Sequence, residues 1–113
     1  MGEDAAPRSR VLLANEPRSY REAIAHVLRT LCPGLEVDET DQASLDRELS
    51  RGVPGLVICS RATPAVRGNA PAWVELYTDE GQLSSVAIGR ERSTVPGMEL
   101  GDILKIVDRA LSR

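Results

Sequence analysis

Apolar positions along the chain change period in a regular order, and that order predicts the elements. Val11-Leu12-Leu13-Ala14 is an unbroken apolar run, the pattern of a strand covered on both faces, and Asn15-Glu16-Pro17 ends it. From Arg18 to Leu31 the apolar residues Tyr20, Ile24, Val27, Leu28 and Leu31 follow helical spacing, and Cys32-Pro33-Gly34 stops the helix. Leu35 to Thr40 alternates with period two and reads as an outer strand. Asp41 is placed to cap a short amphipathic helix that carries Leu45 and Leu49 and closes at Gly52. Leu56 to Cys59 is a second doubly covered run, which belongs beside the first in the middle of a parallel sheet built by right-handed crossovers.

Beyond residue 60 the rhythm weakens. Residues 61–71, RATPAVRGNAP, hold Pro64, Gly68, Asn69 and Pro71, so an irregular crossover is expected where a full helix would otherwise stand. Trp73 to Thr78 alternates strictly, and Leu83 to Ile88 is similarly mixed. Only Asp79-Glu80-Gly81-Gln82 separates them, too little for a helical crossover, so the two strands form an antiparallel hairpin. Arg90 to Gly97 reads as a loop, and Leu100, Ile103, Leu104, Val107 and Leu111 mark a final helix from about Glu99. The expected fold class is α/β: a flavodoxin-like three-layer sandwich with a five-stranded, mostly parallel sheet. Numbered along the chain, its strands take the order 2-1-3-4-5, with the hairpin at one edge and the third and fourth helices reduced or missing. Residues 1–9, MGEDAAPRS, form a disordered terminus and residues 10–113 one domain. A chain of 113 residues buries roughly two thirds of its unfolded surface and needs no covalent staple.

Composition narrows the function classes. The net charge is −3 and acidic and basic residues are mixed throughout, which leaves no basic stripe for a duplex and argues against nucleic acid. Cys32 and Cys59 stand far apart, with neither CxxC nor a His/Cys cluster, and read as reduced core thiols. Neither a charged leader with an apolar stretch nor a membrane-length apolar run occurs, which points to a cytoplasmic protein off the membrane. Asn15-Glu16-Pro17-Arg18-Ser19 after the first strand gives neither GxGxxG nor a Walker pattern, so nucleotide binding lacks its usual support. No cofactor is expected.

With this organisation in place, Ala14-Asn15-Glu16-Pro17-Arg18-Ser19-Tyr20-Arg21-Glu22-Ala23-Ile24 resembles the start of bacterial response-regulator receiver domains of the VDDHPLVREGL type, matching without a gap at Arg21-Glu22 and in apolar rhythm. Leu56-Val57-Ile58-Cys59-Ser60 followed by Thr63-Pro64 resembles the family's third strand and the loop after it. The resemblance covers residues 10–64 and extends loosely over the rest. It implies a site in which paired carboxylates hold Mg²⁺, an aspartate accepts phosphate, a Thr or Ser ends the fourth strand, and a Lys follows the fifth. Here Asn15 and Glu16 stand at the acidic pair, Ser60 at the acceptor, Thr78 at the hydroxyl position, and Gly89 or Arg90 where the lysine belongs. The sole lysine, Lys105, falls in the last helix.

One carboxylate where the family draws on three makes a poor Mg²⁺ site, and a serine cannot form an acyl phosphate. The expectation is therefore a non-enzymatic pseudo-receiver that acts by protein contacts in bacterial signalling, with no metal and no catalytic residue. The alternative is a small-molecule or anion-binding module that uses the rim of Asn15, Glu16, Ser60, Thr78 and Arg90. Asp38 or Asp41 could join Glu16 around a cation, although a solvated acidic rim is the simpler reading. His26, mid-helix and with no third group to orient it, is not expected to serve Ser60 as a base. The missing helices leave apolar sheet surface to cover, and the strand of residues 83–88 is expected to be an open edge. Both points predict a homodimer through the face or edge holding Trp73, Tyr77 and Val86.

Overall fold

The computed structural model describes residues 9–76 and 83–111, and the statements below concern those residues. Strand β1 (Arg10–Ala14) runs parallel to β2 (Glu36–Glu39) on one side and to β3 (Leu56–Cys59) on the other. Strand β4 (Ala72–Glu75) continues the parallel set beside β3. The chain then reverses: β5 (Leu83–Ile88) is antiparallel to β4, and β6 (Glu91–Pro96) is antiparallel to β5. The result is an α/β fold with a six-stranded mixed sheet in the order β2-β1-β3-β4-β5-β6.

Both unbroken apolar runs lie in its interior because each is covered twice. On one face, α1 (Arg18–Leu31) and α4 (Leu100–Leu111) lay Ile24, Leu28, Ile103, Ile106 and Val107 over Val11, Leu13, Leu56, Ile58, Val74 and Val86. On the other, a 3₁₀ turn (Gln42–Ser44), α2 (Leu45–Arg51) and α3 (Pro64–Asn69) supply Leu45, Leu49, Ala62 and Val66 against Leu12, Ala14, Val57, Cys59, Trp73 and Ala87. Each fully buried Leu or Ile in these clusters contributes about 1.5–3 kcal/mol relative to exposure. Asp41 caps its turn as its position predicts, the carboxylate accepting the Ser44 N–H at 2.7 Å.

Five expectations are corrected. The sheet has six strands, because residues 91–96 form β6 instead of a loop. Their side chains are nearly all exposed, so backbone bonds to β5 hold the strand and no apolar rhythm announces it. A two-residue turn, Gly89-Arg90, makes the pairing possible, with Gly89 at φ +61° in the left-handed region that the first turn position of a type II′ hairpin requires. Residues 61–71 hold a short helix, since Thr63 caps it by accepting the Val66 N–H and Pro64 sits in the first turn, where its missing N–H costs nothing.

The remaining three concern the predicted interface. Strand β5 is paired on both sides, so the open edge is β6. Trp73 and Val86 are each only 3% exposed, buried within this chain and unavailable as a docking patch; Tyr77 lies outside the described residues. The apolar surface expected under residues 61–71 is filled by Ala62, Val66 and Trp73 itself.

Candidate functional site

The carboxyl ends of β1 and β3 converge at one rim, where Asn15, Glu16 and Ser60 come together. Ser60 Oγ accepts the Glu16 N–H at 2.8 Å, tying the end of one strand to the other. Gln42, from the 3₁₀ turn before α2, clamps the β3 loop. Its Oε1 accepts the Ser60 and Arg61 N–H groups at 3.0 and 3.1 Å, and its Nε2 donates to the Arg61 carbonyl at 2.8 Å. Its own backbone N–H donates to the Glu16 carboxylate at 3.3 Å.

A side chain from α1 supplies the charge at the rim. Arg21 is 8% exposed, because one helical turn places it under the β1 end beside Ile24 and Ala25. Its Nη1 donates to the Asn15 carbonyl at 3.3 Å and lies 3.5 Å from the Glu16 carboxylate. Its Nε is 3.9 Å from Glu39, an ion-pair distance too long for a hydrogen bond. A guanidinium carried by the chain thus balances the rim carboxylates, the task a bound cation performs in a metal site. Arg21, Glu16, Glu39 and Asp41 line a broad depression of about 650 Å³.

Neither aspartate weighed as a cation ligand joins Glu16. Asp38 is taken by Arg10 at 2.7 Å, and the Asp41 carboxyl is held below its ordinary range by its hydrogen bonds from Ser44. Among the described residues no group of three or more His, Cys, Asp or Glu is arranged to hold a metal ion.

The structure does not bring all the predicted rim residues together. Arg90 is at the opposite end of the sheet, in the β5–β6 turn. Because β5 is antiparallel, Ile88 pairs with Ala72 at the start of β4, and the Gly89 N–H donates to the Pro71 carbonyl at 2.9 Å. The short connection that forbids a parallel crossover also keeps the carboxyl end of β5, and the residue after it, away from this rim. Thr78 lies outside the described residues. His26 is exposed on α1.

A second polar cluster surrounds the end of β4, and its charged members, Glu75, Arg67 and Arg92, had no role in the sequence reading. Glu75 is buried, its carboxylate accepting the Ala62 N–H at 2.9 Å and lying 3.7 Å from Arg67. Its position in an alternating strand suggested exposure. The Cys59 thiol close by is pushed up to about 12 by burial and by the Glu75 charge, which leaves it unreactive at neutral pH. The Trp73 ring carries two guanidinium groups, Arg67 at 4.8 Å and Arg92 at 5.6 Å from its centroid.

Comparison of the chain with protein-family models, with curated proteins and with solved structures returns no match. No described helix is long and apolar enough to cross a membrane. What the rim does chemically therefore rests on its own geometry. The Ser60 oxygen accepts from an amide, and among the described residues no base stands in bonding contact to activate it. Asn15 differs from its neighbours: it is fully buried, yet neither side-chain polar atom finds a hydrogen-bond partner among the described residues.

Proposed function

We propose that this chain is a pseudo-receiver, a flavodoxin-like domain with the receiver's three-layer plan, which acts by protein contacts in bacterial signalling and carries out no phosphotransfer. The observation that carries this reading is the bond from the Glu16 N–H to Ser60 Oγ. At the position the resemblance gives to the phosphoacceptor, the side chain serves as a structural brace, and Gln42 closes the loop beside it. Arg21 supplies the positive charge there, so the rim calls for no divalent cation. The reading includes a cytoplasmic location, a protein partner, and neither cofactor nor nucleic acid. Incubation with acetyl phosphate and millimolar Mg²⁺, followed by intact mass, is expected to show no added labile phosphate; a labile adduct would overturn it.

One observation favours a second reading, a small polar ligand held at the rim. The Asn15 amide offers a donor and an acceptor that no described group uses, and a ligand reaching it gains both bonds. Thermal shifts with small anions or amides that vanish in Ser60→Ala would select this reading over the first.

A further inference from the structure

The sheet ends at β6, and this edge differs from the opposite one. One row of paired residues crosses the sheet: Asp38, Leu12, Val57, Trp73, Ala87, Arg92. At the β2 end of the row, Asp38 is neutralised by Arg10. At the β6 end, Arg92 rests over the Trp73 ring and forms no ion pair among the described residues; its Nη1 reaches only the Gly89 and Glu91 carbonyls, at 3.3 and 3.5 Å. Arg90 in the adjoining turn is exposed and likewise has no described carboxylate partner. The one carboxylate on β6, Glu91, is already neutralised by Arg109 at 3.1 Å.

The backbone of β6 points the same way. In a hairpin with a two-residue turn the flanking pair, Ile88 and Glu91, exchanges hydrogen bonds, and bonding then alternates along the ladder. Residues 91, 93 and 95 are spent on β5, while Arg92 and Thr94 turn their N–H and C=O groups outward. Their side chains share the sheet face of Ala87, Ser85 and Leu83, and Leu83, at the start of β5, is 49% exposed.

We propose that β6 receives an extended acidic segment of a partner protein as a seventh strand, with a carboxylate side chain opposite Arg92 and an apolar one towards Leu83. Outward amides give the backbone pairing, and the guanidinium held on Trp73 gives the sign of the charge. A second copy fits less well, because the twofold register that uses both outward amides sets the two Arg92 side chains diagonally on one face, like charge near like.

This inference names the surface for the protein contacts proposed above and rests on that reading, but its test is separate from the phosphorylation assay. Random twelve-residue peptides displayed on phage are selected on the full chain and on Arg92→Glu. Selection on the wild type is expected to enrich sequences with acidic residues at alternating positions. A synthetic copy of the most enriched peptide should shift the Arg92 and Thr94 amide resonances and bind Arg92→Glu at least tenfold more weakly. Thr94→Pro removes one outward donor without touching a β5 bond, and should weaken binding while leaving the fold intact. Absence of acidic enrichment, binding indifferent to both variants, or sedimentation of the wild type as a dimer with protected β6 amides would overturn the proposal.

Discussion

The rim at the ends of β1 and β3 and the edge at β6 are both rich in polar groups, and they use them in opposite ways. At the rim the polar groups face one another: Ser60 holds Glu16, Gln42 holds Ser60 and Arg61, and Arg21 balances Glu16 and Glu39. At the edge they face outward, with Arg90 and Arg92 free of described carboxylates. A site that satisfies itself gains stability and leaves little for a ligand to complete, with Asn15 as the exception. An edge left open costs some stability and offers a place to bind. On the proposed reading, the position that the resemblance gives to the receiver's chemistry serves as scaffold, and the capacity for contact lies at the β6 edge.

The largest expected effect comes from separating the two regions at Trp73. Its ring fills the space beside α3, covers Ala87 and supports Arg92, so Trp73→Ala should cost about 3–5 kcal/mol by denaturant unfolding. The β5–β6 amides should lose more hydrogen-exchange protection than the rim amides; equal losses would mean that the two regions unfold as one. At the rim, Arg21→Ala leaves Glu16 without its guanidinium, while Glu39 keeps Arg29 at 3.1 Å. The cost should be about 1–3 kcal/mol, less than for a fully buried pair because both carboxylates are partly exposed. Millimolar Mg²⁺ should restore part of that stability in the variant and none in the wild type.

Between pH 8 and 10 the smallest effect is a pH dependence next to Glu75. The Cys59 thiol is raised from an ordinary value of 9.0 to about 12, so the unfolded chain loses this proton first as pH rises. The stabilisation is complete below about pH 9, declines by about 1.4 kcal/mol per pH unit above it, and is gone once the folded thiol ionises near 12. Urea unfolding between pH 8 and 10 should show this slope in the wild type and a shallower one in Cys59→Ala.

What the sequence revealed of these two regions follows their physics. Unbroken apolar runs place β1 and β3, and helical spacing places α1 and α4, because burial leaves a period that can be read directly. The hairpin is legible from a connection too short for a crossover. Strand β6 is not, since a strand held by backbone bonds with exposed side chains has no apolar period to show. Asn15, Glu16 and Ser60 were legible as a rim through one motif, whereas Arg90 was carried to the wrong end because its position depended on the direction of β5. Gln42 gave no signal and Glu75 a misleading one; each acts through a long-range hydrogen bond to the 60–62 loop, and spacing along the chain does not report such contacts.

The central claim, that the rim is a self-satisfied scaffold, is tested most directly by following the backbone amide resonances of Asn15, Glu16 and Ser60 to Ala62. The titrants are millimolar Mg²⁺ and acetyl phosphate, added separately and then together. The account predicts that these amides stay in place in the wild type, and that in Ser60→Ala the Glu16 amide, having lost its acceptor, moves before any titrant is added. Saturable shifts of the wild-type rim amides on adding Mg²⁺, growing when acetyl phosphate follows, would contradict it.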